Sequence, residues 1–373
     1  MAVFLENFGI SHFRGISNLA VESLNHVNII AGDNNCGKTS VLEALLLLRN
    51  PLDITNVLRI ARMRDINIAY NGSSAYESFV NLFPADGLPM EIGLHARLNN
   101  RNVSYQLIGE KKTIMLDPQE RQMFSYPSSK SGWEVKGKPE PVETEAFSGK
   151  ILFGDGKSEA QTEVELHAYT RVSGMEIKRN QYVNMVYLAP MDHVHGNVFG
   201  RILRNKDYKE ICIQILKLFD SGIEDLLILK NEDNNRPVEC VSHKTLGIMP
   251  LSTYGDGIKK VLSLANGIAQ ASGGVLLIDE IETAIHSRYY GEIFGFLVKA
   301  CMTFQVQMFV TTHSIEAIDG LLATQDYEKQ GESDFIHVIT LKKEAKGQKT
   351  YSRVLTGREV YTNREEFGFE VRL

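Results

Sequence analysis

The run Gly32-Asp33-Asn34-Asn35-Cys36-Gly37-Lys38-Thr39 constrains this chain more than any other feature. It follows the apolar stretch His26 to Ala31. It opens a segment, Lys38 to Arg49, with Val41, Leu42, Ala44, Leu45 and Leu48 at helical spacing. Strand, loop and helix are the context that G-x-x-x-x-G-K-[ST] requires, and every fixed position fits. Glycines let backbone N–H groups turn inward around phosphates, and the helix N-terminus adds partial positive charge. Lys38 reaches the β- and γ-phosphates, and the Thr39 hydroxyl ligates Mg²⁺. Gly32, Asn34, Asn35, Gly37, Lys38, Thr39 and Ser40 are the expected nucleotide-binding residues.

A second apolar run, Gly274 to Ile278, ends in Asp279-Glu280. At the C-terminal edge of a parallel sheet these carboxylates face the same crevice as the phosphate loop. Asp279 is expected to hold Mg²⁺, directly or through water, and Glu280 to orient and deprotonate an attacking water. ATP and Mg²⁺ are the implied cofactors. No base-reading residue is identifiable, so GTP stays open.

Along the chain, residues 1–50 read as the phosphate-loop segment and 51–190 as a β-rich lobe or insertion. Within the latter, Met90 to Leu116 alternates like an antiparallel meander. Residues 117–150, rich in Pro, Ser, Gly, Glu and Lys and holding the one tryptophan, Trp133, read as a mobile loop. Residues 191–257 read as a helical lobe. Residues 258–373 alternate helix and strand, hence a parallel sheet.

Composition narrows the classes. The net charge of −6 gives no basic footprint for nucleic acid, so DNA binding would need a local patch. One such candidate is Arg201 to Lys217, diluted by Asp207 and Glu210 into the pattern of a solvated helix face. No apolar stretch near the N-terminus approaches the ~20 residues of a membrane span, and no signal peptide is legible. The four cysteines lack C-x-x-C spacing and read as free thiols in a reducing cytoplasm. Cys36, beside a helix N-terminus, is expected to have a lowered pKa and to oxidise easily.

About 240 residues separate the two phosphate-site motifs. With Val310-Thr-Thr-His313-Ser314, Leu251-Ser252-Thr-Tyr-Gly255-Asp256-Gly257 and Phe13-Arg14-Gly15, that separation resembles compact ATPase heads of the ABC class. The likeness is to the SMC, RecF and OLD branch. Asp279-Glu280-Ile-Glu282 and His286 are similar to stand-alone OLD-type ATPases of bacterial anti-phage defence. The resemblance implies an α/β fold: one ABC-type P-loop head over 1–373 with a mostly parallel central sheet. It adds an N-terminal antiparallel β lobe and a helical signature lobe. It further implies that His313 is a switch residue near the γ-phosphate and that Arg14 helps bind nucleotide. Ser252, Gly255, Asp256 and Gly257 would clasp a partner's nucleotide in trans. Glu282 and His286 would shape the loop after Glu280 or cap the next helix. The signature departs from the family's Ser-Gly-Gly. Too few residues follow His313 for a Toprim nuclease domain, so the chain is not expected to cut DNA itself.

The resemblance implies an ATP-hydrolysing switch that dimerises head to tail, or forms a higher oligomer. It would control a separately encoded nuclease or toxin in abortive infection. The alternative is a RecF-like, ATP-dependent DNA-binding repair protein. A transporter-energising subunit fits less well, given the divergent signature and the Phe-Arg segment.

Overall fold

A computed structural model describes residues 4–64, 74–84, 90–117, 141–170, 181–195, 198–231, 235–328, 334–344 and 349–367. The first hairpin pairs β1 (Leu5–Phe13) with β2 (Ile16–Val21). β3 (Val27–Gly32) then leads through the phosphate loop into α1 (Lys38–Leu45), α2 (Ile54–Arg62) and α3 (Ala75–Val80). Asp53 caps α2, and Ser74 with Glu77 forms a reciprocal capping box on α3. A meander follows: β4 (Met90–Leu98), β5 (Arg101–Leu116), β6 (Val142–Gly154) and β7 (Glu159–His167). Asn99 and Asn100, both at positive φ, make the tight turn between β4 and β5 that matches strand twist. These strands and the first hairpin form one antiparallel sheet, ordered β2-β1-β4-β5-β6-β7.

The remaining elements build the core. They are β8 (Met185–Leu188), α4 (Asp192–His195), α5 (Lys206–Leu216), β9 (Ile223–Lys230), β10 (Pro237–His243) and β11 (Gly247–Pro250). Then come α6 (Asp256–Gln270), β12 (Val275–Ile278), α7 (Tyr290–Thr303), β13 (Gln307–Thr311), α8 (Ile315–Leu322), β14 (Ile336–Lys343), β15 (Thr350–Thr356) and α9 (Gly357–Phe367). The central sheet runs β15-β14-β3-β13-β12-β8 and is parallel except for the edge strand β15. β3, β12 and β13 are buried along their whole length, as strands covered on both faces must be. Ile30, Leu277, Phe309 and Ile339 pack on one face toward α1 and the antiparallel lobe. Ile29, Leu276, Ile278, Met308 and Val310 pack on the other toward α5 to α8. Fully buried Gln307 joins the two sheets: its amide accepts from Leu5 N and donates to Leu5 O and Asn25 O, each at 2.8 Å. Among the described residues, no helix is long and apolar enough to cross a membrane.

Two expectations change. Residues 142–150 are not loop: they begin β6 and pair with β5 from Leu116 back to Ile108. Ala146 and Phe147 are buried there, while exposed Glu143 and Glu145 and half-buried Lys150 give the segment its loop-like composition. Residues 118–140, with Trp133, lie outside the described residues. The segment 191–257, read as helical, holds α4 and α5 and also the three-stranded sheet β11-β10-β9. Only Ile223, Leu226, Cys240 and Val241 of that sheet's strands are buried, so its period-2 signal is faint.

Candidate nucleotide-binding and hydrolysis site

The phosphate loop leaves β3 at Gly32, with φ +143°, and enters α1 at Gly37, with φ +102°. A Cβ on Gly32 would lie 2.5 Å from Leu341 O and 2.9 Å from Cys36 Sγ, so no other residue fits. Asn35 also takes positive φ. Lys38 Nζ folds back along the loop and donates to the Gly32 and Asp33 carbonyls at 2.7 and 2.9 Å. Cys36 is buried, and burial pushes its thiol pKa up despite nearby Lys38. The expected oxidation-prone thiolate is therefore corrected: desolvation outweighs the charge at the helix terminus. All four cysteines are free and buried.

The central sheet brings the carboxylate end of β12 beside this loop. Thr39 Oγ1 donates to the two oxygens of Asp279 at 3.1 and 3.0 Å. Thr311 Oγ1, at the end of β13, donates to Asp279 Oδ1 at 2.5 Å and accepts from Glu280 N at 2.8 Å. One hydroxyl thus fixes both acidic residues. Tyr187, on edge strand β8, donates to Asp279 Oδ2 at 3.2 Å, and burial with this carboxylate raises its pKa far above the usual phenol range. Glu280 is a non-glycine residue at φ +47°, a backbone state that a surrounding network must hold. Its Oε2 accepts from Thr283 Oγ1 at 3.4 Å.

One strand over, Glu282 Oε1 accepts from both His313 N and His313 Nδ1 at 3.0 Å. A carboxylate oxygen only accepts, which assigns a hydrogen to Nδ1. His286 is exposed and accepts from Arg288 N at 3.2 Å, capping a 3₁₀ turn at Ser287–Tyr289. Ser252 lies in a 3₁₀ turn, and Gly255, the exposed N-cap of α6, has nothing within 4 Å of an added Cβ. Asp256 Oδ1 pairs with Lys259 at 3.2 Å. A Cβ on Gly257 would stand 3.2 Å from Ala284 O, so α6 begins hard against the loop that follows Glu280.

Arg14 reaches the site through α1. Its Nε pairs at 2.8 Å with Glu43, whose side chain is 1% exposed. Arg64 binds the same carboxylate through Nε at 2.8 Å and a terminal nitrogen at 2.6 Å, and donates to Ser40 Oγ at 3.0 Å. Sequence reasoning missed Glu43, Arg64, Tyr187 and Thr311. A lone acid inside the apolar helix run and a threonine pair before His313 were the available signals. The basic run on α5 is partly neutralised: Lys209 pairs with Asp225 at 2.6 Å and Lys206 with Glu210 at 3.9 Å.

The Thr39 hydroxyl beside the Asp279 carboxylate is a hard oxygen pair of the kind Mg²⁺ takes together with phosphate oxygens and water. Among the described residues, no group of three or more His, Cys, Asp or Glu is arranged to hold a metal alone. The donor set therefore fits a cation delivered with its nucleotide.

The sequence pattern of a family described as "AAA domain, putative AbiEii toxin, Type IV TA system" matches residues 27–319. The chain belongs to this family. An ATP/GTP phosphatase of Helicobacter pylori is 22% identical over 355 residues, covering 87% of this chain and 90% of that protein. The DNA replication and repair protein RecF of Idiomarina loihiensis is 50% identical over 46 residues, 12% of this chain and 13% of RecF. Two SMC head structures share the fold. One is bound to the C-terminal winged-helix domain of ScpA, at TM-score 0.50 and 12% identity, covering 96% of this chain and all of the other. The second carries an extended coiled coil and is bound to the C-terminal domain of ScpA derived from Pyrococcus furiosus, at TM-score 0.50 and 10% identity over 98% and 100%. This member of the AbiEii-type AAA family therefore has an SMC-head-like α/β fold of the ABC P-loop class.

Proposed function

We propose that this chain is a Mg²⁺-dependent ATPase serving as the switch subunit of a bacterial anti-phage, abortive-infection system. One observation carries the ATPase reading: Thr39 and Asp279, about 240 residues apart, meet at 3.0–3.1 Å beside the phosphate loop. The name of the Helicobacter pylori relative supports phosphatase chemistry on a nucleoside triphosphate. Thr39 and Asp279 would hold Mg²⁺, which would supply neutralisation of the developing phosphoryl charge. Lys38 would leave its loop carbonyls for the β- and γ-phosphates. Glu280, held by Thr311 and Thr283, would take the proton of the attacking water. His313, held by Glu282, would offer Nε2 to the γ-phosphate.

The exposed N-terminus of α6 supports head-to-tail pairing, with Gly255, Asp256 and Gly257 meeting a second copy's nucleotide. Hydrolysis would remove the phosphate that the two copies share and bias the pair toward opening. The family's description, a putative toxin of a type IV toxin–antitoxin system, supports a two-component role. The defence setting and a separately encoded nuclease or toxin as effector follow the resemblance to OLD-type ATPases. A RecF-like DNA-binding role rests on the 46-residue match and requires salt-sensitive binding to duplex DNA.

The test is ATP turnover by the purified protein with and without duplex DNA. Lys38→Ala should abolish nucleotide binding. Glu280→Gln should bind ATP and hydrolyse it about 10²-fold or more slowly, the usual weight of a general base. Wild-type turnover in Glu280→Gln would overturn the assignment. Strong stimulation by DNA would favour the RecF-like reading.

A further inference from the structure

Lys260 lies on α6, three residues after Gly257, and is 2% exposed. A lysine is almost never so buried unless its charge is compensated. Its Nζ donates to the Pro190 carbonyl at 3.2 Å. Four carboxylates act on its charge, Asp192, Glu282, Asp279 and Glu280, and His193 feels it from α4.

Three contacts explain why these groups converge. Leu188 pairs with Ile278 in parallel register, and Asp279 N donates to Leu188 O at 3.0 Å. Residues 189–192 and 279–282 therefore leave the sheet at the same edge. α6 crosses that edge: Gly267 packs against Leu188, and Gly257 against the Ala284 carbonyl. Lys260 sits on α6 between those two glycines, and its Nζ reaches the first of the two segments at the Pro190 carbonyl. Glu282 supplies the second observation. Its Oε1 holds His313, while its Oε2 is buried and has no hydrogen-bond donor among the described residues. A buried carboxylate oxygen without a donor costs free energy unless a nearby positive charge offsets it.

We propose that Lys260 is a positioning residue: its buried ammonium ties the signature helix α6 to the Glu282–His313 pair and to the loop bearing Glu280. The inference rests on the ATPase reading and gives that reading a route from α6 to the hydrolytic residues. A shift of α6 against a second copy's nucleotide carries the ammonium with it and changes how Glu280 and His313 are held.

The experiment compares wild type, Lys260→Met, Lys260→Arg, Glu282→Gln and the Lys260→Met/Glu282→Gln double variant. Single-turnover ATP hydrolysis and the Kd for ATP are measured on each. Lys260→Met is expected to keep the wild-type Kd within about twofold and to lower the hydrolysis rate by about tenfold or more. Lys260→Arg is expected to recover most of that loss. The double variant is expected to be no slower than the slower single variant, because both residues act on one path. Turnover by a folded Lys260→Met within about twofold of wild type refutes the coupling, as does a double variant whose losses multiply. If Lys260→Met does not fold, a Glu282→Gln rate equal to wild type refutes it, and a tenfold loss at unchanged Kd with an active Lys260→Arg upholds it. Absence of turnover in wild type refutes the ATPase reading and the coupling together.

Discussion

Glu43→Ala removes the carboxylate that two guanidiniums share, and the expected cost can be worked from their burial. The Arg14 side chain is 12% exposed and loses its carboxylate partner in a place water scarcely reaches, keeping the Ile60 carbonyl at 3.4 Å. Breaking one side of such a buried pair costs about 3–5 kcal/mol. The Arg64 side chain is 46% exposed and can turn to solvent, so its share is under about 1 kcal/mol. At ~2.1 cal/mol/K per residue, 373 residues give a melting entropy of about 0.8 kcal/mol/K. Glu43→Ala should then lower Tm by about 4–7 °C in scanning calorimetry. Replacing both partners, as Glu43→Leu with Arg14→Met, should recover most of the loss, because no buried charge is left alone. A Glu43→Ala variant that melts within about 1 °C of wild type, or a double replacement that melts lower than the single, would refute the argument.

Lys260 makes a pH-dependent prediction about stability. Burial lowers its folded pKa to about 8 from 10.5, so carrying the charge into the fold costs about 3 kcal/mol at neutral pH. The stability of wild type relative to Lys260→Met should therefore rise with pH by up to that amount. The rise should lie between pH 8 and 10.5, where folded wild type has shed a proton that the unfolded chain still holds. Urea titrations of both proteins at pH 7 and pH 10 read it, and a difference that is the same at both pH values contradicts it. Gly32→Ala should abolish ATP binding in a fluorescent-nucleotide titration, since its Cβ meets Leu341 O and Cys36 Sγ at a φ that alanine rarely takes.

The phosphate loop was legible because its chemistry is local: eight consecutive residues specify glycine conformations, a lysine and a hydroxyl. Asp279 and Glu280 were legible for the same reason, as the end of one apolar strand. The remaining site residues are assembled by strand pairing. Thr311 reaches Asp279 because β13 pairs with β12, and Tyr187 because β8 pairs on the other side. Neither residue has a local pattern that marks it. Glu43 was visible as an acid in an apolar run, but its meaning waits on Arg14 and Arg64 from two separate elements. Lys260 reads in sequence as one of a Lys-Lys pair on an amphipathic helix. Only the crossing of α6 over the sheet edge buries it while Lys259 stays near solvent. β6 was hidden by the exposed acids at its start, Glu143 and Glu145, and shows itself only in its pairing with β5.

The strand order also dictates when the nucleotide site can exist during synthesis. β3 is flanked by β13 and β14, and the Asn28 amide reaches Met308 O across 280 residues of chain. At ~5–20 residues per second, a ribosome needs about 15–60 s to cover that span. Throughout that interval β3 is a mostly apolar strand with both edges unpaired, an open template for misassociation. The antiparallel lobe, whose strands all precede residue 168, can fold while the ribosome is still working. Nascent chains of this protein should therefore gain β structure early and acquire nucleotide affinity only once β13 and β14 have emerged. Chaperone demand should concentrate in the interval between.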